Sequence, residues 1–215
     1  MKITEMRTNF ISCPVFKHPD NMEWHIQKIF KGEYSISPFN VEKPVIVDIG
    51  ANVGAFCVWA AETFPGSNII GYEPLKANYS ILKENISKYK DIKAYNLAVG
   101  DLNKTKLFLG KNNIGENSFY QLGTQTKNFE EVKKMHPSKV PSAHILKIDT
   151  EGSEVEILRN INPHRFGLIL LEYHSEKDRR IIDGLLSDFT LFGATASYHE
   201  CGIVKYFKST ILNDN

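Results

Sequence analysis

Two short stretches of this 215-residue chain carry the side chains best suited to chemistry: Asp149 with Glu151, and Glu172 with His174. Carboxylates beside an imidazole can take the proton of a hydroxyl that is being made nucleophilic. His174, with an ordinary pKa of about 6.5, suits that task at neutral pH. Asp149 can orient it or accept the proton itself. Glu172 and His174 are two residues apart, so in a strand they share one face. A lone histidine after a strand is by default a solvated turn residue; what makes His174 a candidate is its place among three acids. Asp149, Glu151, Glu172 and His174 would also suit Mg²⁺ or Mn²⁺, offering hard oxygens and one imidazole. Their spacing does not demand an ion, and the metal-free reading is preferred.

A second constellation lies upstream. VIVDIGANVGAF, residues 45–56, reads as a buried strand, a glycine-bearing turn and the start of a helix. Gly50 and Gly54 permit a tight turn and a close backbone approach to a ligand, and the helix start offers unpaired N–H groups. Two ligands use such turns, dinucleotides and S-adenosylmethionine. The dinucleotide form is G-x-G-x-x-G, with a pyrophosphate on the helix start. Here only Gly50 and Gly54 occur, with Asn52 between them, and Asp48 ends the strand. A carboxylate there repels a pyrophosphate and suits an ammonium group, as in the amino-acid end of S-adenosylmethionine. Glu73, at the end of the next strand, is placed for both ribose hydroxyls. That position fits either ligand, so Asp48 and the missing glycine separate them.

The elements that must position these residues alternate. Strands are expected at 45–49, 68–72, 92–97, 143–149 and 167–173, with amphipathic helices between them marked by Phe56/Trp59/Phe64, Leu75/Tyr79/Leu82/Ile86 and Val155/Leu158/Ile161. A further helix is marked by Ile181, Ile182, Leu185 and Leu186. This is the order of an α/β, Rossmann-like, doubly wound and mostly parallel sheet. Right-handed crossovers then bring every strand's C-terminal end to one edge, where such sheets bind ligands. Residues 189–207 read as a closing antiparallel hairpin that turns near Glu200-Cys201-Gly202. Residues 1–43 read as an N-terminal cap with a helix near Asn21–Phe30, and 44–215 as the catalytic domain. Within the latter, 98–143 is a lid-like insertion with a strand at Lys104–Leu109 and a short helix at Asn128–Met135. Trp59 and Tyr79 sit at core spacing. His144, inside a strand, is expected in the core, and Glu154 and Glu156 are expected to face solvent. Tyr198 and His199 on the tail hairpin could touch an acceptor.

Composition excludes other classes. With 42% apolar and 24% charged residues the chain is an ordinary globular one, and its length allows about 70% of its surface to be buried. Basic and acidic residues number 26 and 25, for a net +1. That argues against nucleic acid or an anionic membrane as the partner. No apolar run is long enough for a membrane helix, and the first twenty residues lack a signal-peptide core. Three cysteines in no pairing or zinc pattern fit a reducing, cytoplasmic setting. Oligomeric state is left open.

DIGANVGAF, GYEP at 71–74, AVGD at 98–101 and KIDTEGSEVEIL at 147–158 resemble the FkbM-type methyltransferases, class I enzymes that use S-adenosylmethionine. KIDTEGSE is the most specific block, and GEY at 32–34 is similar to the family's lead-in. The resemblance runs from about Gly32 to about Ser175. It departs before residue 140, where the family's Thr-Leu-Asp is replaced by Gln125-Thr-Lys-Asn-Phe129. It implies that Asp48, Gly50 and Asn52 surround the methionine moiety and that Glu73 holds the ribose. Pro74, Ala98 and Val99 would flank the adenine, and Asp149 would lie beside the transferring methyl. The family mostly methylates hydroxyls, so the expected acceptor is an alcohol on a sugar or glycan. The alternatives are a protein, an RNA or a polyketide acceptor, an NAD-linked oxidoreductase, or a binding module without catalysis.

Overall fold

The computed structural model describes residues 2–7, 15–20, 22–101, 103, 105–110, 125–196 and 200–208. The front piece is an antiparallel pair, β1 (Ile3–Arg7) and β2 (Val15–Pro19), followed by helix α1 (Glu23–Phe30). Strand β3 (Val45–Ile49) then enters the core. Its run of β-branched residues is buried on both faces, with Ile46, Val47 and Ile49 covered. Next come α2 (Ala55–Thr63), β4 (Asn68–Tyr72), α3 (Lys76–Asn85) and β5 (Ile92–Tyr95). Helix α2 is apolar almost all round because one side meets the sheet and another meets α1, and Ala55 through Ala60 are all buried.

The described residues of 98–143 hold four short strands. β6 (Ala98–Val99) pairs in parallel with β9 (Lys134–Met135), and β7 (Lys106–Gly110) pairs antiparallel with β8 (Gln125–Glu131). The helix expected over Asn128–Met135 is therefore wrong. Phe129, Val132 and Met135 recur every third residue, which mimics a helical face, but pairing with 106–110 overrides that pattern. The strand expected from Lys104 begins at Lys106; Lys104 itself lies outside the described residues, as do Cys13, Tyr198 and His199.

The chain then returns to the sheet through β10 (Ala143–Ile148), α4 (Glu154–Asn160), β11 (Phe166–Tyr173) and α5 (Glu176–Leu185). It ends in the pair β12 (Thr190–Ala194) and β13 (Gly202–Phe207). The main sheet has seven strands in the order β12-β13-β11-β10-β3-β4-β5. The five from β11 to β5 run parallel, and β12 and β13 close the edge antiparallel. Strand order reverses at β3 and β10, so a crevice opens above their C-terminal ends.

One face of the sheet carries a cluster that includes Ile26, Phe30 and Tyr34 of the front piece with Phe56, Trp59 and Phe207. The other face packs Ile157, Leu158, Ile182 and Leu186 of α4 and α5 and the segment after it against Val47, Leu146 and Ile169. Residues 33–35 are tied to β13, where Lys205 Nζ donates to the carbonyls of Glu33 (2.7 Å) and Ser35 (2.9 Å). His144 is exposed, not in the core. It lies near the start of β10, where only the later residues are covered, and its Nδ1 accepts the Val45 N–H. No helix among the described residues is long and apolar enough to cross a membrane.

Candidate active site

The crevice above β3 and β10 is a cleft with about 590 Å³ of empty space, part of it open to solvent. Its floor is the turn after β3. Gly50 has φ +85°, and a Cβ there would stand 1.7 Å from the Asp149 carbonyl oxygen, so no side chain fits. Gly54 (φ +88°) caps α2 in the left-handed conformation. Asn52 also has a positive φ, of 51°. The N–H groups of Gly50 and Ala51 both donate to the Tyr72 carbonyl, which fastens the turn to the end of β4.

Glu73 sits just beyond β4 and is 5% exposed. One carboxylate oxygen accepts the Asn52 N–H (2.9 Å) and the other the Leu75 N–H (2.8 Å). Burial pushes this carboxyl up to about 7, against those two donors. The Asn96 side-chain amide donates to the carbonyls of Glu73 and Pro74, which holds that corner in place. Of the residues singled out in the sequence, Gly50, Asn52, Glu73, Pro74, Ala98, Val99, Asp149 and Glu151 line the cleft. Asp48, Gly54, Glu172 and His174 are not among its lining residues.

Asp48 lies beneath the turn, fully buried. It pairs with Lys147 Nζ (3.1 Å) and accepts the Cys57 S–H (3.3 Å). Lys147 also reaches Asp149 (3.3 Å) and donates to the Gly50 carbonyl (3.1 Å), with the Tyr34 and Phe56 rings within 6 Å. One buried ammonium thus ties the glycine turn to the end of β10. Burial opposes that charge, but Asp149 and Asp48 outweigh it and raise the lysine above its ordinary value. Burial alone would raise the Asp149 carboxyl too. Lys147 and His174 outweigh it, so Asp149 is held ionised below the usual carboxylate range. The Tyr34 hydroxyl stands 3.5 Å from the same carboxylate as a donor.

The sequence reading treated Glu154 as solvent-facing, and the structure reverses it. Glu154 is 1% exposed at the start of α4. It points back into the turn of residues 149–152, accepting from Thr150 N, Thr150 Oγ1 and Gly152 N at 2.8–3.2 Å. That turn needs positive φ at Glu151 and Gly152, and the Glu154 carboxylate organises it. Glu156 is half-buried, and its carboxylate accepts the Asp101 N–H. His174 stands between two acids, with Nε2 3.2 Å from Glu151 and Nδ1 3.4 Å from Glu154. Burial would lower its pKa; Glu154 and Glu151 outweigh it and raise it well above the ordinary value. That shift favours the imidazolium, a form with no lone pair with which to act as a base. Directly after it Ser175 accepts the Asp178 N–H (3.0 Å) and caps α5, which fixes the chain's exit.

Glu172 completes the cluster. Burial, reinforced by the Asp149 charge, pushes it up to about 9, so it carries a proton at neutral pH. Asp149, Glu172 and His174 each offer a ligand atom within 4.8 Å of the others. That set has the chemistry of a divalent-cation site, but both His174 nitrogens already face carboxylates, and a metal would have to displace the proton between them. Glu151 is not part of that trio. Sequence reasoning missed Lys147, Glu154 and Tyr34. The signal for Lys147 was a lone cation inside the apolar strand AHILKI. Tyr34 lay within the quoted GEY.

The FkbM methyltransferase domain matches residues 48–198. The chain is 23% identical over 163 residues to Methyltransferase 1 of Beauveria bassiana, covering 63% of this chain and 65% of that relative, so it spans less than two thirds of the relative's length. Among solved structures, methyltransferase FkbM from Methylobacillus flagellatus superposes with a TM-score of 0.55 at 17% identity, over 79% of this chain and 45% of that one. Fibrillarin from Aeropyrum pernix, solved with natively bound S-adenosyl-L-methionine, gives 0.51 at 13% identity, over 77% and 66%. At these identities the two structures speak for the fold.

Proposed function

Because the chain belongs to the FkbM methyltransferase family, whose members use S-adenosylmethionine, we propose that its acceptor is a hydroxyl, on a sugar or glycan. The observation that carries this reading is the Asp149 carboxylate on the cleft wall, which Lys147 at 3.3 Å favours in its ionised form. A hydroxyl that enters the cleft can donate to that carboxylate. A net charge of +1 supports such an acceptor over RNA.

The cleft suits the cofactor. Glu73 keeps lone pairs for ribose hydroxyls, and the buried Oδ1 of Asn52 has no donor among the described residues. Pro74, Ala98 and Val99 offer flat apolar walls for the adenine. Asp48 acts through Lys147, beneath the turn. When bound, S-adenosylmethionine supplies an electrophilic methyl group on a sulfonium.

Asp149 then serves as the proton acceptor. A hydroxyl oxygen that gains a third bond, to the methyl, becomes a strongly acidic oxonium as the sulfonium leaves, so even a carboxylate of lowered pKa is basic enough to take its proton. His174 moves from base to electrostatic support, because its positive charge keeps Asp149 ionised. Alignment and exclusion of water supply the rest of the acceleration.

The test is transfer of labelled methyl from S-adenosylmethionine to parallel pools of sugars and glycans, small alcohols and polyketides, peptides, and RNA, with Mg²⁺ and with a chelator. Label in the carbohydrate pool, unaffected by the chelator, is the expected result. Label confined to peptide or RNA overturns the acceptor. Chelator sensitivity moves Asp149, Glu172 and His174 to a metal role. Cofactor binding without label in any pool favours a binding module.

A further inference from the structure

Asn78 is a polar side chain that the cleft buries without using. It lies in the first turn of α3, lines the cleft, and is 2% exposed. Its Oδ1 finds no hydrogen-bond donor among the described residues. A buried carbonyl left unpaired is costly, so a position of this kind calls for a ligand that supplies the missing donor.

The surroundings identify the donor. Asn78 is five residues beyond Glu73, whose two oxygens are already fastened to the corner that holds the ribose. The neighbouring cleft wall is apolar, formed by Pro74, Leu97, Ala98, Val99 and Leu107. Apolar walls grip the two faces of a flat ring but cannot read its edge. A carboxamide presents an acceptor and a donor side by side, which is the complement of adenine's exocyclic amine and adjacent ring nitrogen. We propose that Asn78 reads the adenine edge of the cofactor, accepting from the exocyclic amine, and so makes the site selective for adenosine over other nucleosides. The inference rests on the cofactor assignment of this same cleft.

The experiment compares binding of S-adenosylhomocysteine and its 6-deamino analogue, in which hydrogen replaces the exocyclic amine, by titration calorimetry. Removing only the amine leaves nothing that a flipped amide could recover. Wild type is expected to prefer the adenine ligand about tenfold or more, the usual penalty for stranding a buried polar group. In Asn78→Ala and in the volume-filling Asn78→Leu the ratio should fall to near one, while the unfolding midpoint of Asn78→Leu stays close to wild type. Equal binding of the two ligands by wild type overturns the proposal, as does a wild-type ratio retained in both variants. Failure of wild type to bind S-adenosylhomocysteine at all would instead overturn the cofactor assignment on which it stands.

Discussion

Lys147→Met tests how the site is held together. The substitution roughly keeps the length and apolar stem of the side chain and removes the one cation between Asp48 and Asp149. Asp48 has no exposure to solvent and Lys147 only 3%, so water cannot replace the lost partner. Breaking a buried pair by removing one member costs about 3–5 kcal/mol. Against a total stability of about 5–15 kcal/mol, that is a large share. For a chain of this size each kcal/mol moves the midpoint by about 2–4 °C, so the expected drop is about 6–20 °C.

The sign of the pH dependence follows. In wild type, Asp149 is depressed, so its contribution is present above the unfolded carboxyl value and is lost as pH falls through the folded one. Burial already raises Asp48 in wild type; without Lys147 both carboxyls are pushed higher, and the variant loses stability as pH rises through their values. The gap between the two proteins therefore widens from about pH 4 upward. Urea melts at pH 5 and pH 8 measure it. Asp48→Asn combined with Lys147→Met removes the stranded charge, so the double variant should be more stable than Lys147→Met alone. A loss below about 1 kcal/mol for Lys147→Met at pH 8, or a double variant no better than the single, would refute the buried triad.

Three further outcomes are expected. Glu154→Ala frees Thr150 N, Gly152 N and one side of His174, and should cost about 3 kcal/mol in a urea melt; a loss within about 0.5 kcal/mol, the range of an ordinary surface change, would show that the turn does not depend on it. Affinity for S-adenosylhomocysteine should rise as pH climbs through about 7, because the ionised form of Glu73 is the better acceptor for ribose hydroxyls; in Glu73→Gln the affinity should be lower and flat with pH, and an unchanged slope there assigns the titration elsewhere. Asp149→Asn should slow methyl transfer by about 10²–10⁴-fold with the cofactor still bound. Activity retained in that variant removes Asp149 as the proton acceptor.

The parallel core was readable because strands such as VIVDI and LILLE are buried on both faces and need no partner to be recognised. The glycine turn and Glu73 were readable for the same reason, being fixed by short-range geometry. Residues 128–135 were misjudged because a three-residue apolar spacing serves either a helix or a paired strand, and only the distant segment 106–110 decides between them. Glu154 was misjudged because helical position says which residues share a face but not that a helix start folds back onto the preceding turn. His174 was found by type and place. Its charge state was hidden, since it depends on Glu151 and Glu154 approaching from a different element.

The grip of Lys205 on the carbonyls of Glu33 and Ser35 spans 170 residues of chain. Closing so large a loop is entropically slow. The strands around the glycine turn pair without β13, so the hold on residues 33–35 beside Tyr34 is expected to form after them. The Tyr34 end of the cleft then depends on a contact that folding makes late, and pulse-labelled hydrogen exchange would show it protected after the glycine turn.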